Sequence, residues 1–204
     1  MAICAMEVEA VAVLQASRVA GMDPELADLE RVYASLDIPG HHVELIEGRI
    51  TVSPSASWWH SCAVGQLVNV LIDICRQRGW RFHTNLTTHV AATRERLIPD
   101  MMITPWDAPR FDDNEVYGHG ALLVVEVVSR DSRKDDHDAK ARAYAQAGVP
   151  LYLILDAIAR PATVTLLSDP GGDEYRSRTC VTVGQSVSLP EPFGICLDTG
   201  ALLG

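Results

Sequence analysis

Two carboxylates stand in stretches of sequence that are otherwise apolar. Glu126 lies in the middle of LLVVEVV (122–128), and Asp100 follows Pro99 at the head of the apolar run MMI. A buried carboxylate costs free energy unless it is paired or bound to a cation. If the two segments are neighbouring strands, their side chains come within about 5 Å of each other. A divalent cation would remove the repulsion, and hard oxygen ligands completed by water suit Mg²⁺ or Mn²⁺.

A lysine is the third residue that departs from its surroundings. On the helix predicted over 134–147, Lys140 shares a face with Ala143, Tyr144 and Ala147, and we expect that face to pack on a sheet. A lysine that points inward needs an anionic partner. The two carboxylates, or a phosphate group, would provide one.

The elements that position these residues are predicted by turn and cap residues. Apolar and polar residues alternate over 43–52 around Glu47-Gly48, which predicts two short strands joined by a tight turn. Ser57 is the expected cap of a long amphipathic helix that Gly79 ends. An earlier helix is expected to start at Asp23-Pro24.

Two apolar runs predict the centre of the sheet. The segments 121–129 and 151–156 are almost continuously apolar, as strands buried on both faces are. The helix over 134–147 lies between them and ends before Gly148. The order helices, hairpin, helix, strands, helix, strands predicts an α/β fold with a mixed sheet flanked by helices. We expect one domain over residues 23–204.

Residues 1–22 are an N-terminal extension to that domain. The stretch 3–20 is rich in Ala and Val, and we expect it to be helical, although its periodicity is poor. A tail or an oligomer contact is the alternative. Because the stretch is apolar and invites association, we expect a homodimer.

Composition narrows the class of protein. The formal net charge of −10 weighs against a general nucleic-acid coat protein, but an acidic chain can still present one local basic strip. No apolar run reaches the length of a membrane span, and the N-terminus lacks the pattern of a secretory signal. The five cysteines include no C-x-x-C pair, which argues against a disulfide framework or a zinc–thiolate site. We therefore expect a cytoplasmic protein without a membrane partner.

Four segments carry a resemblance to a known family. They are VELIEGRITVSPS (43–55), IPDMMI (98–103), LLVVEVVS (122–129) and DHDAKARAYAQAGVPLYLILD (136–156). In order and spacing they resemble the Uma2 family, a bacterial group of restriction-endonuclease-like proteins with the PD-(D/E)XK nuclease fold. The resemblance spans roughly residues 43–156, more than half of the chain.

The resemblance implies a role for each of these charged residues. Asp100 and Glu126 match the metal-binding acidic pair, and Glu44 matches an acidic residue of the first hairpin that completes the site. The general motif E-x-K would put a lysine at position 128, where this chain has Val128. Family members supply the lysine from the following helix, and Lys140 matches that position. The implied activity is Mg²⁺- or Mn²⁺-dependent hydrolysis of phosphodiester bonds in DNA.

Five further residues are candidates for the rim of the site or for contacts with substrate. His60 opens the long helix, where a cap or packing role fits equally well, and Ser129 follows the strand that carries the central glutamate. Arg130, Arg133 and Lys134 come just after it, in a charged stretch whose default interpretation is a solvated helix face.

Each main site residue also has a purely structural interpretation. Asp100 fits a turn at the start of a strand, Glu126 fits an ion pair with Lys140 that serves folding alone, and Glu44 fits an exposed hairpin position. Two alternative functions are also consistent with the sequence. One is a catalytically silent nuclease fold that acts as a binding or regulatory module, and another is a metal-dependent hydrolase of a different phosphate ester.

Overall fold

The computed structural model describes residues 12–15 and 24–203 of the chain. Within them, the helices are α1 (Pro24–Ser35), α2 (Trp58–Arg78), α3 (Arg133–His137) and α4 (Ala139–Gln146). The strands are β1 (Ala12–Gln15), β2 (His41–Ile46), β3 (Arg49–Pro54), β4 (Arg81–His83), β5 (Thr87–Val90), β6 (Glu95–Leu97), β7 (Met101–Thr104), β8 (Glu115–Tyr117), β9 (Leu123–Val127), β10 (Leu151–Asp156), β11 (Thr163–Gly171), β12 (Glu174–Thr182), β13 (Ser186–Leu189) and β14 (Ile195–Asp198). Short 3₁₀ turns span Gly118–Gly120 and Thr199–Leu203.

The sheet that carries Glu126 has the strand order β12-β11-β10-β9-β7-β4. Its central strands β9 and β10 are parallel, and the remaining neighbours are antiparallel, so the sheet is mixed as predicted. Every residue of β9 and β10 is buried. Leu67 and Leu71 of α2 pack on one face, whereas Ala143 and Tyr144 of α4 pack on the other. A sheet covered on both faces explains why these two strands are almost continuously apolar.

The other large sheet has the order β1-β3-β2-β6-β5-β8 and supplies the hairpin predicted around Glu47-Gly48. Both turn residues have positive φ, 48° for Glu47 and 69° for Gly48, as a two-residue hairpin turn requires. Leu29 of α1 packs against Leu45 and Ile50 on one face of the hairpin. The opposite face of β2 is therefore turned toward α4 and the sheet that carries Glu126.

The long helix α2 has the predicted caps. The side chain of Ser57 accepts a hydrogen bond from the backbone N–H of His60, and Gly79 ends the helix in the left-handed conformation. The N-terminal cap fixes the turn from which His60 projects. Neither α2 nor any other helix in the described ranges is both long enough and apolar enough to cross a lipid bilayer.

Two expectations about helices need correction. Residues 12–15 form a strand rather than part of a helix, because their backbone pairs antiparallel with the edge of β3. The rest of the extension lies outside the described residues. The single helix expected over 134–147 is divided at Asp138 into α3 and α4. At this junction the backbone carbonyl of Asp136 accepts a hydrogen bond from the Tyr152 hydroxyl, at 2.8 Å.

The contact between the Gly118–Gly120 turn and the end of α4 gives a stability test. A Cβ added at Gly118 would overlap the side chain of Ala147. We expect Gly118→Ala to lower the free energy of unfolding by about 1–3 kcal/mol through overpacking. Gly65→Ala is the matched control, because nothing lies within 4 Å of a Cβ at this exposed helical position. It should raise stability by up to about 1 kcal/mol. Urea unfolding measures both, and equal effects would contradict the packing described here.

Candidate active site

Asp100 and Glu126 lie side by side on one face of the sheet. Met101 pairs with Val125 in the antiparallel ladder, so the same register places Asp100 opposite Glu126. The Oδ2 atom of Asp100 accepts a hydrogen bond from the backbone N–H of Val127 at 2.7 Å, which fixes this carboxylate to β9. The two acids therefore meet where the sequence predicts, through strand pairing.

His60 holds the other oxygen of Asp100. Its Nε2 lies 2.8 Å from Asp100 Oδ1, and both side chains are largely buried. Burial would raise the pKa of Asp100, but the contact with His60 and the hydrogen bond from Val127 hold that pKa below its usual value. Asp100 is therefore an ionised, oriented carboxylate. The structure brings His60 to the site itself, in addition to its place in the first turn of α2.

Lys140 reaches Glu126 from the helix, on the inward face that periodicity predicts. The distance from Lys140 Nζ to Glu126 Oε1 is 3.0 Å, and the Tyr144 hydroxyl donates a hydrogen bond to the same oxygen at 2.8 Å. Val128 lies on the same face of the strand but is buried among apolar residues between the sheets. The strand position of the general E-x-K motif is thus filled by core packing, and the ammonium comes from α4.

Two more carboxylates surround the lysine. Glu44 of β2 lies 3.4 Å from Lys140 Nζ, and its Oε1 also accepts the backbone N–H of Ile98 at 2.7 Å. Glu44 is 5% exposed, so it is a buried residue and not the exposed hairpin position that was the alternative. Asp136 of α3 also lies 3.4 Å from the lysine, and it accepts a hydrogen bond from Ser132.

Asp136 is the residue that sequence reasoning missed. It lies on the same helical face as Lys140, four residues earlier, but it belongs to the charged run 130–142, which was interpreted as a solvated surface. That spacing was the available signal, since an acid and a lysine four residues apart meet on a helix. With 1% of its surface exposed, Asp136 is among the most buried charged residues described.

The charges of this cluster do not balance. Three carboxyl groups lie within 3.4 Å of one ammonium and Asp100 contacts His60 beside them, so acidic groups outnumber the lysine in a largely buried volume. Burial raises the pKa of Glu126 well above its usual range, although the Lys140 charge opposes the rise. Burial also raises the pKa of Asp136. Burial would lower the pKa of Lys140, but the carboxylates, with Glu126 foremost, raise it well above its usual range and keep the side chain charged.

The cluster opens into a cavity of about 140 Å³. Its wall includes Glu44, His60, Asp100, Glu126, Asp136 and Lys140, and on the outer side Ser129, Ser132 and Asp131. The hydroxyl of Ser129 donates a hydrogen bond to that of Ser132 at 2.9 Å, which fixes the loop after β9. The three basic candidates lie elsewhere: Arg130, Arg133 and Lys134 line an adjacent open groove.

The donor set suits a hard divalent cation. Glu44, Asp100 and Glu126 offer carboxylate oxygens, the ligands that Mg²⁺ and Mn²⁺ prefer. The excess of buried negative charge is what a bound cation would offset. Among residues 12–15 and 24–203, no three acid, histidine or cysteine side chains already converge as metal ligands do. At present the carboxylate oxygens converge on the lysine ammonium instead.

Comparisons with known proteins identify the family and the fold. Residues 25–200 match the family model Uma2, described as "Putative restriction endonuclease". The chain belongs to the Uma2 family. A crystal structure of "a putative nuclease belonging to DUF820 from Anabaena variabilis ATCC 29413" superimposes with a TM-score of 0.66. The match covers 86% of this chain and 96% of that chain at 19% identity, which shows a shared fold. No curated protein matches the chain.

Membership in Uma2 confirms the family and the restriction-endonuclease-like α/β fold that the sequence predicts. It also supports a nuclease function in general terms.

The ion cluster of this Uma2 chain gives a second prediction. Lys140→Met removes the cation and leaves Glu44, Glu126 and Asp136 buried together. We expect the free energy of unfolding in EDTA to fall by about 3–5 kcal/mol, the range for breaking a buried ion pair. Urea unfolding followed by circular dichroism measures the change.

The same variant should show a characteristic pH dependence. A carboxyl group whose pKa is higher in the folded than in the unfolded state stabilises the fold at low pH, and this contribution is lost as the pH rises. Loss of the ammonium removes the charge that opposes this rise, so Lys140→Met should lose stability as the pH rises above the ordinary glutamate pKa of about 4.3. The double variant with Glu126→Gln is the control and should recover part of the loss. Unchanged stability of Lys140→Met would refute the cluster.

Proposed function

We propose that the protein is a Mg²⁺- or Mn²⁺-dependent endonuclease that hydrolyses phosphodiester bonds in DNA. The observation that carries the proposal is the pairing of Asp100 with Glu126 at the base of a cavity, with Lys140 Nζ 3.0 Å from Glu126. The family assignment supports nuclease chemistry. An arrangement of buried carboxylates and an inward lysine costs folding free energy, so a function that uses it explains its presence.

The residues divide into three roles. Asp100, Glu126 and Glu44 would hold the metal, which when bound supplies Lewis-acid activation of the phosphoryl group and of a water molecule. Lys140 orients the attacking water or stabilises negative charge on the phosphorane. His60 positions Asp100 through the 2.8 Å contact.

The remaining contacts restrict the lysine and the mouth of the cavity. Asp136 and Tyr144 fix the opposite ends of the Lys140–Glu126 pair, because Asp136 contacts the ammonium and Tyr144 donates to Glu126 Oε1. Ser129 stands at the cavity wall, where its hydroxyl can contact a substrate phosphate. A substrate phosphate would enter from the side of the cavity that Ser129 lines and meet Asp100, Glu126 and Lys140 at its wall.

A catalytically silent binding or regulatory module is the second candidate. The observation that favours it is the position of the Lys140 ammonium, which already neutralises part of the carboxylate charge. The net charge of −10 also works against a general affinity for DNA. A hydrolase of another phosphate ester would use the same residues, and only the substrate distinguishes it from the nuclease.

A cleavage assay tests the proposal. Purified protein is incubated with Mg²⁺ or Mn²⁺ and with linear, circular or single-stranded DNA, and the products are resolved on gels. We expect the wild type to cut DNA. The variants Asp100→Ala and Lys140→Ala should cut it at least about a hundredfold more slowly. Asp28→Ala is the control, since this exposed acid of α1 lies in a surface salt bridge with Arg31.

Calorimetry with Mn²⁺ separates the two candidates. The nuclease proposal expects binding that Asp100→Asn and Glu126→Gln abolish. No cleavage together with no such binding would leave the silent module as the answer. Cleavage that persists in both alanine variants would show that a different site does the chemistry.

We also propose that the protein is a homodimer and that it resides in the reducing cytoplasm. The apolar stretch 3–20 supports association, and Cys62, Cys75, Cys180 and Cys196 are free thiols. Light scattering should give twice the mass of one chain, and deletion of residues 1–20 should shift it toward the monomer. A monomeric mass for the full chain would remove the claim.

A further inference from the structure

A second, larger concavity lies beside the candidate site. It is an open groove of about 820 Å³, bordered by α3, by the loop after β10 and by the outer strands β11 and β12. Its basic residues are Arg130, Arg133, Lys134, His137, Arg160 and Arg178. Nothing in the proposed cleavage chemistry uses Arg160 or Arg178.

The groove and the site share one face of one sheet. Glu126 pairs with Ile154, Ile154 with Thr165, and Thr165 with Cys180, so these four residues form a row across β9, β10, β11 and β12. Directly paired residues project to the same face. Thr165 and Cys180 line the groove, and Glu126 lines the cavity. Three strand spacings separate the ends of the row, roughly 14 Å.

The short helix α3 stands between the two concavities. It presents Asp136 to the cavity and Arg133, Lys134 and His137 to the groove. Asp131, in the loop before it, borders both. The groove and the cavity are therefore adjacent, with α3 and the loop before it as their common border.

The groove is positive although the chain is acidic. Five of the 17 Lys and Arg residues line it, and all five are exposed. Of its three aspartates, Asp156 is buried and already engaged. Asp156 Oδ2 lies 2.8 Å from Arg133 Nε and 3.3 Å from His137 Nε2. Its other oxygen accepts backbone N–H groups of the following loop.

We propose that this groove binds the sugar–phosphate backbone of duplex DNA and leads one strand to the carboxylate site, an inference that rests on the proposed nuclease function. Phosphates along one strand of a duplex advance by about 3.4 Å along the helix axis, so a duplex whose axis followed the row from Glu126 to Cys180 would present about four of them. The exposed Arg and Lys side chains of the groove supply the positive charge that such a polyanion requires. None of the described lining residues is Trp, Tyr or Phe, so the groove lacks the stacking platform typical of single-strand channels.

Binding of a fluorescein-labelled duplex, followed by anisotropy in Ca²⁺ at several NaCl concentrations, tests the proposal. The variant is Arg160→Gln with Arg178→Gln, two exposed residues at the far side of the groove. We expect roughly tenfold weaker binding and a salt dependence whose slope is smaller by about 2. The matched control is Arg76→Gln with Arg78→Gln in the last turn of α2. Arg76 and Arg78 lie 16 and 18 residues after His60 on α2, which places the control charges roughly 25 Å along the helix from the site, so affinity should be unchanged.

Hydrolysis of the small diester bis(p-nitrophenyl) phosphate with Mn²⁺ separates this inference from the function on which it rests. The groove variant should hydrolyse the diester at the wild-type rate, because so small a substrate needs only the cavity. Equal duplex affinity of groove variant and wild type would overturn the inference while diester hydrolysis still supported the nuclease. Tighter binding of a single strand than of the duplex, or loss of affinity only in the α2 variant, would also overturn it. The groove variant could lose duplex affinity while the wild-type protein hydrolyses neither DNA nor the diester. That outcome would support the DNA-binding groove and contradict the proposed nuclease function.

Discussion

The Lys140 ammonium sits among carboxylates from three separate elements, and this contact organises the rest of the site. Its Nζ lies 3.0–3.4 Å from Glu126 on β9, Glu44 on β2 and Asp136 on α3. Without a cation the three acids would repel one another in a volume that excludes water. The lysine therefore ties the two large sheets and both short helices to a single point.

The parts of the site that could be predicted are those that contradict their own surroundings. Glu126 interrupts an apolar strand, Asp100 heads another, and Lys140 falls on the apolar face of a helix. Each contrast is local, so periodicity alone exposes it. Asp136 lacks this contrast with its immediate neighbours, since charged residues lie on both sides of it, and only its spacing of four residues from Lys140 marks it as inward-facing. Its burial becomes evident only when α3 docks on the sheet.

The same distinction explains which elements of the fold were predicted. The hairpin turn at Glu47-Gly48 and the caps Ser57 and Gly79 are determined by neighbours in sequence, and the structure has them where expected. The strand at residues 12–15 depends on the edge of β3, and the division of the later helix depends on the Tyr152 hydroxyl. Such partners are distant in sequence, so local propensity does not reveal them.

The location of Glu44 has a consequence for the stage of synthesis at which the site is completed. This acid belongs to the early hairpin, whereas Glu126 and Lys140 come from the second half of the chain and from the other large sheet. A nascent chain that has folded only the sheet containing β2 holds Glu44 but neither Glu126 nor Lys140. The constellation is complete only after the last of these segments has been synthesised and docked. A partly made copy therefore carries the hairpin acid without the lysine and the strand acid that surround it in the finished fold.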